Sequence, residues 1–192
     1  MKVFFGVACV VLLFSCNRQN LKYDKSYFDF DSLVNNQVQQ IASAKARVIK
    51  KTFLNGKNDS TILLPDTTHW KHELDAFQQL DVINKPLFKG NYQAINQEDD
   101  HSNLLVRSFT TKMKSPVPEV KFFYQDGYMK LKRIESVFNE SNVLYSTSRK
   151  LTLEFEEQQG MAMISKYRVQ GFQKMILSDS VKFSIEGKLL YE

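Results

Sequence analysis

The sequence predicts an α+β fold, with two N-terminal helices packed on a long, curved, mostly antiparallel sheet of about six to eight strands. Three observations carry this. Apolar residues recur at helical spacing in two stretches, Phe30-Leu33-Val34-Val38-Ile41 and Trp70-Leu74-Phe77-Leu80. Later stretches alternate with a period of two: Leu151, Leu153 and Phe155 among Lys150, Thr152, Glu154 and Glu156, then Val181, Phe183 and Ile185 among Lys182, Ser184 and Glu186. Asn55-Gly56 and Asp126-Gly127 favour the positive φ angles of tight hairpin turns. A sheet of that length twists and curls, and its limiting form is a half-open barrel.

Taken in order, Ser26 is placed to cap the first helix, with Asp29 at the capping-box spacing. Asn35, Asn36, Gln39 and Gln40 form the outer side, and the pattern fades over Ala42 to Ala46. Arg47 to Leu54 reads as a strand because Val48 and Thr52 are β-branched. Its expected partner is a short strand, Thr61 to Leu64, across a loop lengthened by the polar Lys57 to Ser60. The second helix is expected from Thr67 to Leu80, capped by Asp66, Thr67 or Thr68, and Pro86 bars its continuation. Beyond Tyr92 strands dominate: Leu104 to Met113, then Val120 to Tyr124 and Tyr128 to Lys132 around Asp126-Gly127. Met129 and Leu131 continue in parity to Ile134 rather than Arg133, which predicts a β-bulge at Arg133-Ile134.

Ahead of these elements stand Met1-Lys2, the uncharged apolar run Val3 to Phe14, and Ser15-Cys16, followed at once by Asn17-Arg18-Gln19-Asn20. The run falls short of the roughly 20 residues of a membrane-spanning helix and reads as a secretory signal. Leu13-Phe14-Ser15-Cys16, with an aliphatic residue three before the cysteine and a small one just before it, resembles the bacterial lipobox. That resemblance implies removal of the signal peptide, 1–15, and acylation of Cys16 at a bacterial cell-envelope membrane, with the outer membrane expected. Two or three acyl chains, at about 0.8 kcal/mol per buried CH₂, make a stable anchor. Residues 16–26 then read as lipidated N-terminus and polar tether, and 27–192 as a single domain. Cys9 falls in the discarded stretch, so no thiol remains for a disulfide or for thiol catalysis.

The 15 Phe and 8 Tyr against 4 Pro argue for a packed body rather than disorder. Net charge is +5. Arg107, Lys112, Lys114, Lys121, Lys130, Lys132 and Arg133 stand against Glu119 and Asp126, and read as a solvated sheet face. An exported chain without a recognisable reading module gives no reason to expect a nucleic-acid partner.

His69 to Pro86 reads HWKHELDAFQQLDVINKP. Asn55-Gly56-Lys57, Trp70, Glu73-Leu74, Phe77, Asp81 and Ile83-Asn84-Lys85-Pro86 resemble the small envelope lipoproteins common in the Bacteroidota; Val82 departs from their tighter Asp-Ile-Asn-Lys-Pro form. The resemblance implies envelope localisation and overall shape, and it carries no assigned activity.

The three histidines are candidate metal ligands. His69 and His72 share the second helix with Glu73, but the order His-Trp-Lys-His-Glu exchanges the last two groups of the H-x-x-E-H motif and turns them around the helix. His69 and Glu73 suit an ordinary i,i+4 surface pair, and His101 lies far off beside Asp99 and Asp100. No metal site is expected. The chain lacks G-x-S-x-G, G-x-G-x-x-G and G-x-x-x-x-G-K-[ST], and Glu156-Glu157 are adjacent rather than opposed across a cleft. Neither catalysis nor a cofactor is expected.

Phe122, Phe123, Tyr124, Tyr128, Phe138, Tyr145, Phe155, Tyr167 and Phe172 serve either a core or the wall of a concavity, as do Met161, Met163 and Met175. Phe122 and Phe123, being neighbours, must point to opposite sheet faces. The expected function is a non-catalytic structural or interaction module, meeting the membrane through Cys16, with another envelope protein as the candidate partner of its surface. The alternative is a carrier domain holding a lipid-like apolar ligand in the sheet concavity.

Overall fold

Helix α1 spans Phe30–Ser43. Its cap is Asp29 rather than Ser26. The Asp29 carboxylate accepts the Ser32 backbone N–H at 2.9 Å and the Ser32 hydroxyl at 2.6 Å, which satisfies a helix-end donor locally. These elements come from a computed structural model that describes residues 23–158 and 160–191. Cys16 and the signal peptide lie outside the described residues.

Strands β1 (Arg47–Leu54) and β2 (Lys57–Leu63) form a hairpin, with φ of 46° at Asn55 and 86° at Gly56. Leu54 pairs directly with Lys57, so Lys57 to Ser60 are strand and not the loop expected. The reason is position: β2 is a sheet edge exposed on both faces, where polar side chains cost little. Helix α2 (Thr67–Gln78) is capped by Asp66, which accepts the His69 N–H at 2.8 Å. Where α-helix was expected to reach Leu80, the chain tightens into 3₁₀ turns at Gln79–Asn84 and Pro86–Phe88.

A continuous meander follows: β3 (Gln93–Glu98), β4 (Leu105–Thr110), β5 (Glu119–Gln125), β6 (Lys130–Ser141), β7 (Tyr145–Gln158), β8 (Met161–Met175) and β9 (Val181–Leu190). Strand β6 starts at Lys130, not Tyr128, because Asp126, Gly127 and Tyr128 all take positive φ in the turn. Strand β1 pairs with β9, giving the order β2-β1-β9-β8-β7-β6-β5-β4-β3 with every neighbour antiparallel. The fold is α+β, but the sheet has nine strands and is not closed, and the β1–β2 hairpin separates the two helices. The strands missed were β3, exposed throughout, and β8, whose alternation is broken.

Both helices lie on one sheet face. Phe30, Val34, Val38 and Ile41 of α1 and Trp70, Leu74 and Phe77 of α2 are each at most 2% exposed. Beneath them run two cross-strand rows, Thr52-Ile185-Val169-Leu151-Ser136-Val120-Phe109 and Lys50-Gly187-Tyr167-Leu153-Ile134-Phe122-Arg107. The opposite face is a charged lattice: Arg133–Glu135 at 2.8 Å, Lys150–Glu135 at 3.8 Å, and Lys166 and Arg168 on Glu186. Phe123 is buried on that face beneath the Arg133 guanidinium, 3.9 Å from its ring centroid.

Two bulges adjust the register. In β6 the extra residue is Lys132, one position before the Arg133-Ile134 step expected. In β8 it is Ser165, between the pairs Glu154–Lys166 and Phe155–Ile164. Beside this second bulge the buried Gln37 of α1 acts as a strand would: its Oε1 accepts the Ile164 N–H at 2.8 Å, and its Nε2 donates to the Ala162 carbonyl at 2.9 Å.

Candidate functional site

Helix α2 is tied to the sheet by Glu73. Its Oε1 accepts Lys50 Nζ of β1 at 2.5 Å, and its Oε2 accepts the Tyr167 hydroxyl of β8 at 2.7 Å. Burial, then the hydrogen bond to Glu73, push the Tyr167 phenol far above its ordinary pKa, so it stays a proton donor. Both carboxylate oxygens are therefore engaged.

Beyond this tie an open groove of about 540 Å³ runs between α2 and the ends of β7 and β8, with Val169 and Ile185 among its apolar lining. Its charged groups are matched to neighbours. Arg149 lies over Phe138, 4.6 Å from the ring centroid, and donates to Gln79 Oε1 at 3.0 Å. At the far side the Tyr145 hydroxyl donates to Glu140 at 2.5 Å. The arrangement ties a helix to the sheet, with the Tyr167 and Tyr145 hydroxyls committed to the carboxylates of Glu73 and Glu140.

A second polar cluster fastens the start of the chain. Buried Asn84 accepts the Tyr27 N–H at 3.0 Å and donates to the Phe28 carbonyl at 2.8 Å and to Asp81 at 3.0 Å. Asp81 in turn accepts the Tyr23 hydroxyl at 3.0 Å and an ion pair from Lys25. Carboxylate oxygens of Asp29, Asp31 and Asp81 converge within 4.8 Å, as metal ligands would. Lys25 Nζ fills that role, bonding Asp31 at 2.6 Å as well as Asp81. Partial burial opposes its charge, but the two carboxylates outweigh burial and raise its pKa. Residues 23–26, read as tether from the sequence, thus include two side chains bound to the body.

His72 lies on the groove's lining, and His69 and His101 stand outside it. His69 and His72 are exposed, and His69 Nδ1 faces its own cap, Asp66, at 3.4 Å. The surface pair expected between His69 and Glu73 does not form, because Glu73 turns inward to Lys50 and Tyr167. His101 is exposed on the β3–β4 turn, at the sheet edge opposite β2. Asp99 faces Arg133 at 4.0 Å, while Asp100, Glu156 and Glu157 are exposed.

Phe122, Phe138, Phe155 and Tyr167 belong to the core beneath the helices, whereas Phe172 is 43% exposed. Of the methionines considered for a pocket wall, Met163 is buried but Met161 and Met175 are about half exposed, at 45% and 53%. The basic run is paired locally: Arg107 with Asn96 and over Tyr128, Lys121 with Glu119, and Lys130 with Asp126. Sequence reasoning missed Gln37 and Lys50, whose partners lie 127 and 23 residues away. Asp81 and Asn84 stood within the recognised motif; both are buried, Asn84 on the backbone of Tyr27 and Phe28 and Asp81 on the side chains of Tyr23, Lys25 and Asn84.

Compared with known proteins, the chain matches no family model and has no significant match among curated proteins or solved structures.

Proposed function

We propose that the chain is a bacterial envelope lipoprotein, held by acyl chains on Cys16 at a membrane, the outer one by resemblance, and that its body is a non-catalytic interaction module. In this reading the sheet is a half-open barrel curved around α1 and α2. The observation that carries it is the filling of that concavity by the chain's own side chains: Phe30, Ile41, Trp70, Leu74 and Phe77 rest on Leu151, Leu153 and Ile134, all at most 1% exposed. A carrier needs an enclosed, mainly apolar chamber for its ligand. The anchor is supported by the lipobox-like Leu13 to Cys16, and no helix of the described residues is long and apolar enough to cross a membrane.

Intact mass of the mature protein, with detergent-phase partitioning, tests the anchor: wild type gains acyl mass and enters the detergent phase, and Cys16→Ser does neither. An unmodified thiol in mature wild type would refute it. The carrier reading is favoured by the open groove of about 540 Å³ beside α2, with Val169 and Ile185 in its lining. Native mass spectrometry separates the two. Co-purified lipid, or uptake of added fatty acid or phospholipid, would replace the interaction module with a carrier.

A further inference from the structure

We infer that the paired loops at the far end of β6–β9 make a second, non-covalent contact with the lipid bilayer, dipping aliphatic side chains below its surface. This rests on the proposed Cys16 anchor. The β6–β7 and β8–β9 turns lie side by side, since Tyr145 pairs with Met175 and the Ile176 N–H donates to the Leu144 carbonyl at 2.9 Å. On this joint platform Val143, Leu144, Met175, Ile176 and Leu177 are 84%, 64%, 53%, 63% and 93% exposed. Scattered exposed apolar residues are normal, but five on two adjoining turns form a patch that marks a binding surface.

The sequence around the patch fits lipid. No charged residue lies between Glu140 and Arg149, or between Lys174 and Asp179. Backbone donors in the first turn are satisfied from within, because Asn142 Oδ1 accepts the N–H groups of Leu144 and Tyr145 at 2.8 and 2.9 Å. That removes much of the cost of taking the turn out of water. Behind the tip, Phe172, Phe53 and Val137 edge a shallow depression that Lys150 and Lys182 also line. Aliphatic groups are foremost, and the Phe172 ring and the ammonium groups of Lys174 and Lys182 follow together behind them, where a bilayer offers its interface and phosphates above the tails. Of the carboxylates at this end, Glu140 is hydrogen-bonded to Tyr145, and Asp179 is flanked in sequence by Lys174 and Lys182.

A protein-binding hot spot would instead concentrate Trp, Tyr and Arg in a recessed patch. Chain length points the same way. The seven residues from Cys16 to Tyr23 reach at most about 25 Å, so an acylated Cys16 keeps the body beside the bilayer. Tyr23 is fastened to Asp81, just past α2, the helix whose groove borders these strand ends. A weak contact suffices at such a high effective concentration.

The test uses the full lipidated chain in phosphatidylethanolamine–phosphatidylglycerol vesicles containing acyl-chain-brominated lipid. A polarity-sensitive fluorophore is placed by Leu177→Cys, and in a control by Gln97→Cys on the far edge strand. The expected result is a blue shift and bromine quenching at position 177 and neither at position 97. Adding Leu144→Asp and Ile176→Asp should abolish both signals at 177 while circular dichroism stays unchanged. An acylated chain whose label at 177 remains water-exposed overturns the tip contact, as does a label shielded only after envelope proteins are added. Intact mass on the same sample keeps the two failures apart: a chain without acyl mass sinks the anchor reading and the tether argument with it.

Discussion

The ring of Tyr167 occupies the space that a side chain at Gly187 would need. The two residues are cross-strand partners on β8 and β9, and a Cβ added at Gly187 would lie 2.2 Å from the ring. With that space free, Tyr167 leans across β9 toward Lys50 of β1 and reaches Glu73 of α2. One glycine thereby lets β1 and β8 meet helix α2 at one carboxylate.

Gly187→Ala should accordingly destabilise the domain by about 1–3 kcal/mol, as overpacking does. The same change in a Tyr167→Ala background should cost less, because the clashing ring is gone. Denaturant unfolding of the four proteins in the cycle measures the coupling. Additive costs would mean that Gly187 is needed for some reason other than the ring.

Trp70 is fully buried, and its indole N–H has no hydrogen-bond partner among the described residues. Trp70→Ala should cost about 3–5 kcal/mol, whereas Trp70→Phe should cost clearly less, since no hydrogen bond is lost with the indole. Changing His69 and His72 together to Gln should cost under about 1 kcal/mol, because both are exposed. Urea midpoints with and without zinc check both statements. A zinc-dependent rise that the double histidine variant loses would reveal a metal site on α2.

At the β8 bulge, Gln37→Ala removes the partner of the Ile164 N–H and of the Ala162 carbonyl. Leaving a buried polar group unpaired costs about 1–3 kcal/mol, and Gln37→Leu should lose as much despite its better apolar burial. Hydrogen exchange localises the effect: the Ile164 amide should lose protection ahead of Tyr167 and Val169. Uniform loss along β8 would assign Gln37 no special part at the bulge.

Acid sensitivity should appear at Glu186. Burial alone would raise its pKa, but hydrogen bonds from Arg168, with Lys166 nearby, depress it below 4.5. A carboxylate whose folded pKa is depressed adds stability above its unfolded value, and that stability is lost as pH falls through the folded value. Lys25 has the opposite sign: its raised pKa adds stability below the unfolded value of 10.5, lost as pH climbs through the folded one. Unfolding of Glu186→Gln followed toward low pH should fall less steeply than wild type. Equal slopes would place the acid-labile group elsewhere.

Legibility followed the range of the interaction. The Asp66 cap of α2, the Asn55-Gly56 turn and the buried stripes of α1 and α2 depend on neighbours within a few residues, and local residue type or period 3.6 displays them directly. Even the β6 bulge could be located to within one residue, because an extra residue reverses the apolar parity of everything after it. Strand β3 and the Lys57–Ser60 half of β2 escaped notice for the converse reason. With both faces in water, β2 and β3 carry no alternation for a sequence to record.

By itself, then, the sequence determined which stretches turn an apolar face inward, where the chain reverses, and that a helical pair accompanies an antiparallel sheet. Only the tertiary structure decided that β1 closes against β9, that Lys50 and Tyr167 share Glu73, that Gln37 serves as a piece of strand, and that Asp81 and Asn84 fasten the start of the chain. Each of these joins residues from 23 to 127 positions apart, or strands at opposite ends of the chain. A polar side chain reads the same in sequence whether it meets water or a distant partner. Burial decides between them, because a buried polar group must find its partner, and burial is a property of the assembled sheet and helices.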